Sequence, residues 1–167
     1  MKENTKIKMA LPTNAAKTKM TDTEVRKCTY RLLKNMHANQ SLAGFAYTID
    51  AVAMVYSNPK MMNGITKPGG LYNTIAAKYK KNDSMVERAI RHLIEMLTDI
   101  GNTPTLSAVF GEDAISHRQY KPTFTTNCEF IIGIVNYFVY EEPNLSAEDT
   151  SEEEVQTNVN RKQKAYI

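Results

Sequence analysis

The sequence is poor in the residues from which catalytic and metal sites are usually built. It has no tryptophan, two cysteines and three histidines among 167 residues. Cys28 and Cys128 lie far apart with no second metal ligand near either, so neither a disulfide framework nor a zinc site is indicated. The histidines lack partners at metal-ligand spacing, no glycine-rich loop is present to hold a phosphate, and no serine stands in a nucleophile motif. We therefore expect no enzyme activity, no metal and no cofactor.

Long hydrophobic runs are also missing. The longest apolar stretch, residues 130–135, is far shorter than a membrane span, and the first residues lack the apolar core of a secretory signal. With 42% hydrophobic residues, the chain can bury one core of ordinary domain size. We expect a cytosolic protein, associated with the nucleoid if it binds DNA, that makes no contact with membranes.

Charge is unevenly distributed, although the net charge is only +3. Residues 60–92 contain seven basic and two acidic side chains, whereas residues 141–154 contain seven acidic side chains and no basic one. A basic centre of this kind is typical of a surface that binds nucleic acid. The acidic stretch is most simply a solvated, disordered extension. The alternative is a DNA mimic that folds back over the basic centre and inhibits it.

Apolar periodicity predicts helices and gives no alternating pattern long enough to build a sheet. We expect an all-α fold of about six helices with three regions: a flexible basic tail at 1–21, a helical domain at 22–140 and an acidic, disordered tail at 141–167. Thr23 or Asp22 is the expected N-cap of the first helix. The predicted helical segments are 23–37, 47–56, 60–62, 71–79, 84–100, 105–110 and 127–140.

The segment 84–101 is the most informative, because its apolar and basic side chains separate onto opposite sides of a helix. Val86, Ala89, Ile90, Leu93 and Leu97 form one apolar arc, and the opposite arc is charged. Ser84 with Glu87 matches a capping box, and Gly101 stands where a left-handed residue would end the helix. The pattern predicts one amphipathic helix with both ends marked locally.

This helix and the preceding one fit a helix-turn-helix unit over residues 75–90. The unit would bury Ile75, Tyr79, Val86 and Ile90, with the small Ala76 at the closest approach of the two helices. Its turn carries Lys80 and Lys81 where glycine and an apolar residue are frequent. The second helix of such a unit lies in the major groove of DNA.

The charged arc then predicts a division of roles. Arg88 and Arg91 are placed to read guanine O6 and N7, and Glu87 could accept from a cytosine amine. Phosphate contacts would come from Lys67, Lys78, Lys80 and Lys81. The alternatives are a capping role alone for Glu87, a solvated helix face for the arginines, and ordinary surface charges for the lysines.

Several segments resemble one family of bacterial regulators. These are GFAYTIDAVAMVY (44–56), GITK (64–67), IAAKY (75–79), VERAIRH (86–92), FG (110–111), KPT (121–123) and EFI (129–131). Over roughly residues 24–140 the chain resembles the C-terminal effector domain of the sporulation master response regulator, the stage 0 sporulation protein A family. The unbroken VERAIRH coincides with the helix selected above on physical grounds.

The resemblance implies an all-helical effector domain, akin to the winged-helix superfamily, that binds double-stranded DNA at TGTCGAA-type boxes. It implies tandem or homodimeric binding on DNA and contact with the sigma factor of RNA polymerase. Carried over by position, Glu87 and Arg88 are the base-contacting pair. Arg91 and His92 lie near the backbone or adjacent bases, with Ser84 close by. The sigma contact falls on Thr105, Ser107 and Phe110, with plain core packing as the alternative for Phe110.

The chain also departs from the family pattern. A phosphoacceptor receiver precedes the effector domain in the family, but here we expect only a short basic tail and no phosphorylation by that route. The loop at 67–70 and the segment 122–127 are slightly longer than in the family.

Our leading prediction is a sequence-specific bacterial transcription regulator. The alternative is an interaction module on the same fold that sequesters sigma factor or the full-length regulator without reading DNA.

Overall fold

A computed structural model describes residues 19–112 and 126–141. These residues form six α-helices and one 3-10 helix, with no β-strand among them, so the all-α prediction is confirmed. No helix in the described ranges is both long and apolar enough to cross a bilayer. The elements are α1 (Asp22–Asn35), α2 (Ala43–Ser57), the 3-10 helix (Pro59–Met62), α3 (Leu71–Tyr79), α4 (Asp83–Ile100), α5 (Thr103–Phe110) and α6 (Asn127–Tyr140).

Helix α2 is the centre of the bundle. It packs against α1, α3, α4 and α6, and its side chains are buried on every side of the helix. Its sequence is apolar almost all round, and such a helix can be stable only with neighbours on every face. Asn58 and Pro59 end it, and the short helical turn predicted next is the 3-10 helix.

The first and last helices begin in the same way. Thr21 caps α1 and Thr126 caps α6, each in a capping box with a glutamate three residues later, Glu24 and Glu129. The predicted N-cap of α1, Thr23 or Asp22, was therefore wrong by one or two residues. Thr21 is the cap because Glu24 lies three positions after it, and the Glu24 carboxylate accepts a hydrogen bond from the Thr21 backbone N–H.

A glycine brings α2 close to α4. A Cβ atom added to Gly44 would lie 2.1 Å from the carbonyl oxygen of Ala89 and 3.1 Å from Cβ of Leu93. Only a residue without a side chain permits this approach. The position of α4 on the core is therefore set at Gly44 as well as by the apolar seam of α4, which consists of Val86, Ile90, Leu93, Ile94 and Leu97.

Gly101 ends α4, but not in the predicted left-handed conformation. Its φ is −67° and its ψ is 160°, which is extended backbone. A Cβ there would lie 2.3 Å from the carbonyl oxygen of Leu97 and 2.9 Å from Cδ1 of Leu106 on α5. The glycine is thus required mainly by the Leu97 carbonyl in the last turn of α4, with a second contact from Leu106 on α5, and the left-handed prediction was wrong.

Candidate nucleic-acid interface

Helices α3 and α4 form the predicted helix-turn-helix unit. Ile75, Ala76, Val86 and Ile90 are all buried between them and the core. Tyr79 is only half-buried, and its hydroxyl donates to the buried Asp50 carboxylate at 2.7 Å. The apolar seam inferred from spacing is therefore confirmed, with Tyr79 at its polar margin.

The turn between α3 and α4 contains a lysine in the left-handed backbone conformation. Lys80 has φ 54° and ψ 46°, and its backbone N–H donates to Ala77 while that of Lys81 donates to Ala76. This is the hydrogen-bond pattern of a Schellman motif, in which glycine is the usual left-handed residue. The turn therefore has ordinary Schellman geometry, although a lysine occupies the position at which glycine is usual.

Asn82 caps α4, which corrects the predicted capping box. Its side-chain oxygen accepts from the backbone N–H of Met85 at 2.9 Å, and the helix begins at Asp83, two residues beyond Lys81. Ser84 is thus an exposed residue of the first turn, and Glu87 has no capping role. Asparagine is among the best N-caps, and Asp83 then stands where the helix dipole favours a negative charge.

The outward arc of α4 carries the predicted base readers. Arg88 is exposed and has no hydrogen-bond or ion-pair partner within residues 19–112 and 126–141. Arg91 is half-exposed and donates to the Glu87 carboxylate at 3.3 Å. His92 is exposed on the same arc. Four residues of α4 that were predicted to face DNA therefore point away from the buried seam: Ser84, Arg88, Arg91 and His92.

The lysines divide into two groups. Lys67, Lys80 and Lys81 are exposed, and Lys67 borders an open cleft of about 380 Å³ beside the N-terminal end of α3. Lys78 differs, because its ammonium lies 2.7 and 2.9 Å from the two carboxylate oxygens of Asp50. The ammonium of Lys78 is thus already paired with Asp50 inside the protein, although half of the Lys78 side chain remains exposed.

Asp50 is a buried carboxylate that joins three helices. Only 1% of its side chain is exposed, and it accepts hydrogen bonds from Arg26 on α1 and from Lys78 and Tyr79 on α3. Burial would raise the pKa of Asp50, but the hydrogen bonds from Lys78, Arg26 and Tyr79 outweigh it and hold the pKa below its ordinary value. The fold therefore keeps an ionised carboxylate beside the helix-turn-helix unit.

A second polar contact joins α6 to α4. The side-chain amide of Asn127 donates to the backbone carbonyl of Glu87 at 2.9 Å and to the Tyr72 hydroxyl at 3.0 Å. Asn127 and Tyr72 are both buried. Closer to the turn, the Asn73 amide donates to Asp83 at 3.4 Å. The N-terminal half of α4 is thus tied by hydrogen bonds to α3 and α6.

The family model named "Sporulation initiation factor Spo0A C terminal" matches residues 29–138. The chain belongs to this family. The matched range includes both helices of the helix-turn-helix unit and extends into the last helix. The chain is therefore a DNA-binding effector domain of the sporulation-regulator type, from a family of transcription regulators that is not an enzyme family. The resemblance deduced from the sequence is confirmed.

In this member of the Spo0A C-terminal family, the residues predicted to contact sigma factor lie on α5. Thr105, Ser107 and Phe110 are all half-buried. The ring of Phe110 stacks on Phe130 at a centroid distance of 5.3 Å, and a Cβ added to Gly133 would meet it at 2.5 Å. Packing against α6 thus accounts for most of the Phe110 ring.

Sequence reasoning missed Asp50, Asn82 and Asn127. Asp50 had a signal, since it is the only charged residue in an otherwise apolar helix. Asn82 stands directly before the helix, where a cap is expected, but Ser84 offered a competing match. Nothing local marks Asn127, because its partners lie 40 and 55 residues away. The predicted tails, the KPT segment at 121–123 and His117 lie wholly or mainly outside the described residues.

Proposed function

We propose that this domain is a sequence-specific transcription regulator that reads a TGTCGAA-like box in the major groove through α4. The observation that carries the proposal is the exposed Arg88 side chain, on the arc of α4 opposite its buried seam. An arginine held outward on the second helix of a helix-turn-helix unit can donate two hydrogen bonds to O6 and N7 of one guanine. Membership of a DNA-binding family supports the same role.

Glu87 and Arg91 are the other proposed base readers. Their ion pair is 3.3 Å long and both side chains are 40–50% exposed, so opening it costs little. On DNA, Glu87 can accept from a cytosine amine while Arg91 turns to a guanine or a phosphate. Ser84 and His92 flank this arc and are proposed to lie near the DNA backbone.

The phosphate contacts are assigned to Lys67, Lys80 and Lys81. Their exposed ammonium groups would give affinity and salt dependence without reading sequence. Lys78 joins them only with the exposed part of its side chain, because Asp50 already holds its ammonium. We expect the protein to act in the cytoplasm on the nucleoid, bound in tandem or as a homodimer.

Contact with sigma factor is proposed for Thr105, Ser107 and the exposed part of Phe110. They lie on α5, which follows the recognition helix directly in the chain. The side of Phe110 that packs on Phe130 serves the core, so Thr105 and Ser107 would carry most of a contact.

A fluorescence-anisotropy titration tests the proposal. The full chain is titrated onto a duplex with a TGTCGAA-type box and onto a scrambled duplex of the same composition, each at two salt concentrations. The proposal predicts tighter binding to the box duplex at both salt concentrations, with both affinities falling as salt rises. Equal affinities would contradict base reading. No binding to either duplex would favour the interaction module that sequesters sigma factor or the full-length regulator.

A further inference from the structure

The buried side chain of Asn127 connects α6 to both helices of the helix-turn-helix unit. Its amide donates to the Glu87 carbonyl on α4 at 2.9 Å and to the Tyr72 hydroxyl on α3 at 3.0 Å. Asn127 is 4% exposed and Tyr72 is 3% exposed. One amide group therefore fixes a point on each of the two helices relative to the start of α6.

The bond to Glu87 acts on the backbone of the recognition helix itself. The apolar seam of α4 and the close contact at Gly44 hold the helix against the core, but apolar attraction itself has no preferred direction. A hydrogen bond is directional in distance and angle. Glu87 precedes Arg88 and lies one turn before Arg91, so the bonded carbonyl belongs to the turn that carries the proposed base readers.

Base reading is sensitive to small displacements. Two hydrogen bonds from one arginine to one guanine require the side chain to be placed within about 0.5 Å of its productive position. Phosphate contacts from exposed lysines tolerate more movement, because they depend mainly on charge. A residue that fixes the rotation of α4 should therefore affect sequence discrimination more than overall DNA affinity.

We propose that Asn127 is a positioning residue for DNA recognition, which holds the N-terminal half of α4 in register through the Glu87 carbonyl without touching DNA. This inference rests on the proposed function of α4. Tyr72 is its second anchor, because its hydroxyl accepts from the same amide group.

The test compares affinity ratios for box and scrambled duplexes in substituted full chains. Asn127→Asp keeps the size of the side chain but replaces the donor with an oxygen facing the Glu87 carbonyl, and Asn127→Ala removes both bonds. Each should lower the ratio of the two affinities on the order of tenfold, the loss expected when one base-edge contact is disturbed. Affinity for the scrambled duplex should change much less than affinity for the box in Asn127→Ala.

Thr29→Val is the matched control. Thr29 is fully buried on α1, and its hydroxyl donates to the Val25 carbonyl within the same helix at 2.7 Å. Its loss should lower the melting temperature but leave the affinity ratio at the wild-type value. Tyr72→Phe removes one of the two Asn127 bonds and keeps the ring, so it should lower the ratio severalfold and serves if both Asn127 variants fail to fold.

The outcomes separate the two proposals. A wild-type protein that does not discriminate between the duplexes overturns the proposed function and this inference with it. A discriminating wild type whose ratio survives in both folded Asn127 variants overturns the positioning role alone. If neither Asn127 variant folds, a wild-type ratio in Tyr72→Phe overturns it. A ratio that falls equally in Thr29→Val also overturns it, because loss of stability would then explain the effect.

Discussion

The Asp50 carboxylate binds the Lys78 ammonium through both of its oxygens, at 2.7 and 2.9 Å. A lysine that the sequence offered to DNA phosphates is thereby held by a buried acid on the central helix. The same carboxylate also accepts from Arg26 and Tyr79, so α1, α2 and α3 meet at a single ionised group. The helix-turn-helix unit is thus fastened to the bundle by charge as well as by apolar packing.

Removing the Asp50 charge should destabilise the fold at neutral pH. Asp50→Asn leaves Lys78 without its anion and Arg26 with only the exposed Asp22, and we expect a loss of about 2–4 kcal/mol in the free energy of unfolding, limited because both cations remain partly in water. Asp22→Asn is the control, since Asp22 also pairs with Arg26 but is 59% exposed, and it should cost at most about 1 kcal/mol. Urea unfolding measures both.

Asp50 also determines how the free energy of unfolding changes at acid pH. The pKa of Asp50 is lowered in the fold, so its contribution is present above the ordinary pKa of 3.8 and is lost as the pH falls below that value. Asp50→Asn should therefore reduce the difference between urea unfolding at neutral and at acid pH. An unchanged difference would show that Asp50 is not ionised in the folded protein.

Alkaline titration should reveal two phenols whose pKa the fold raises. Burial first, and the hydrogen bond to Asp50 second, raise the pKa of Tyr79 to about 12. Burial raises the pKa of Tyr72 to about 12 against the opposing hydrogen bond from Asn127. Because the fold favours the neutral phenols, this contribution to stability is complete below pH 10 and is lost as the pH rises from 10 towards 12.

The measurement is tyrosinate absorbance, which is simplified by the absence of tryptophan. Tyr79→Phe and Tyr72→Phe should each remove part of the signal that develops near the alkaline end of the titration. A variant whose loss of signal is centred near pH 10 would contradict the raised pKa of that phenol.

Substituting Lys80 in the turn should change stability and DNA affinity in opposite directions. Lys80 at φ 54° bears the strain of a left-handed backbone, and Lys80→Gly should relieve about 1 kcal/mol while weakening binding to all duplexes alike. His37 ends α1 with the same hydrogen-bond pattern at φ 66°. His37→Gly should give a similar gain with unchanged DNA affinity, as measured by thermal unfolding and anisotropy.

Gly44 is predicted to be intolerant of even one methyl group. Its Cβ would meet the Ala89 backbone oxygen at 2.1 Å, and we expect Gly44→Ala to cost about 1–3 kcal/mol or more despite the better helix propensity of alanine. Gly133→Ala is the control and should cost less, because its Cβ would meet only side-chain atoms of the half-buried Phe110 ring and no backbone atom. A Gly44→Ala protein as stable as wild type would contradict the close contact between α2 and α4.

The sequence predicted what depends on local pattern. The apolar run of α2, the amphipathic period of α4 and the seam of Ile75, Val86 and Ile90 are all visible in residue spacing. The starts of α1 and α4 were predicted wrongly, because Asp22 and Thr23 are capable caps next to Thr21, and Ser84 is one close to Asn82. Competing caps of similar strength can be decided only by the hydrogen bonds that the folded chain makes.

The long-range polar contacts could not be predicted in the same way. Asn127 meets Glu87 and Tyr72 only because three helices converge, and the ion pair between Lys78 and Asp50 forms only because α2 and α3 pack against each other. Gly44 lies inside α2, before the predicted helix start at residue 47, and its contact with Ala89 has no mark in the sequence. These contacts link residues far apart in the chain, and no periodicity encodes them.

The most direct test of the central claim compares Arg88→Ala with Lys80→Ala on the box and scrambled duplexes. Base reading by Arg88 predicts that Arg88→Ala loses about 1–3 kcal/mol of binding free energy on the box duplex and much less on the scrambled one. Lys80→Ala should weaken both duplexes equally and reduce the salt dependence. Equal losses on both duplexes in Arg88→Ala would contradict the account.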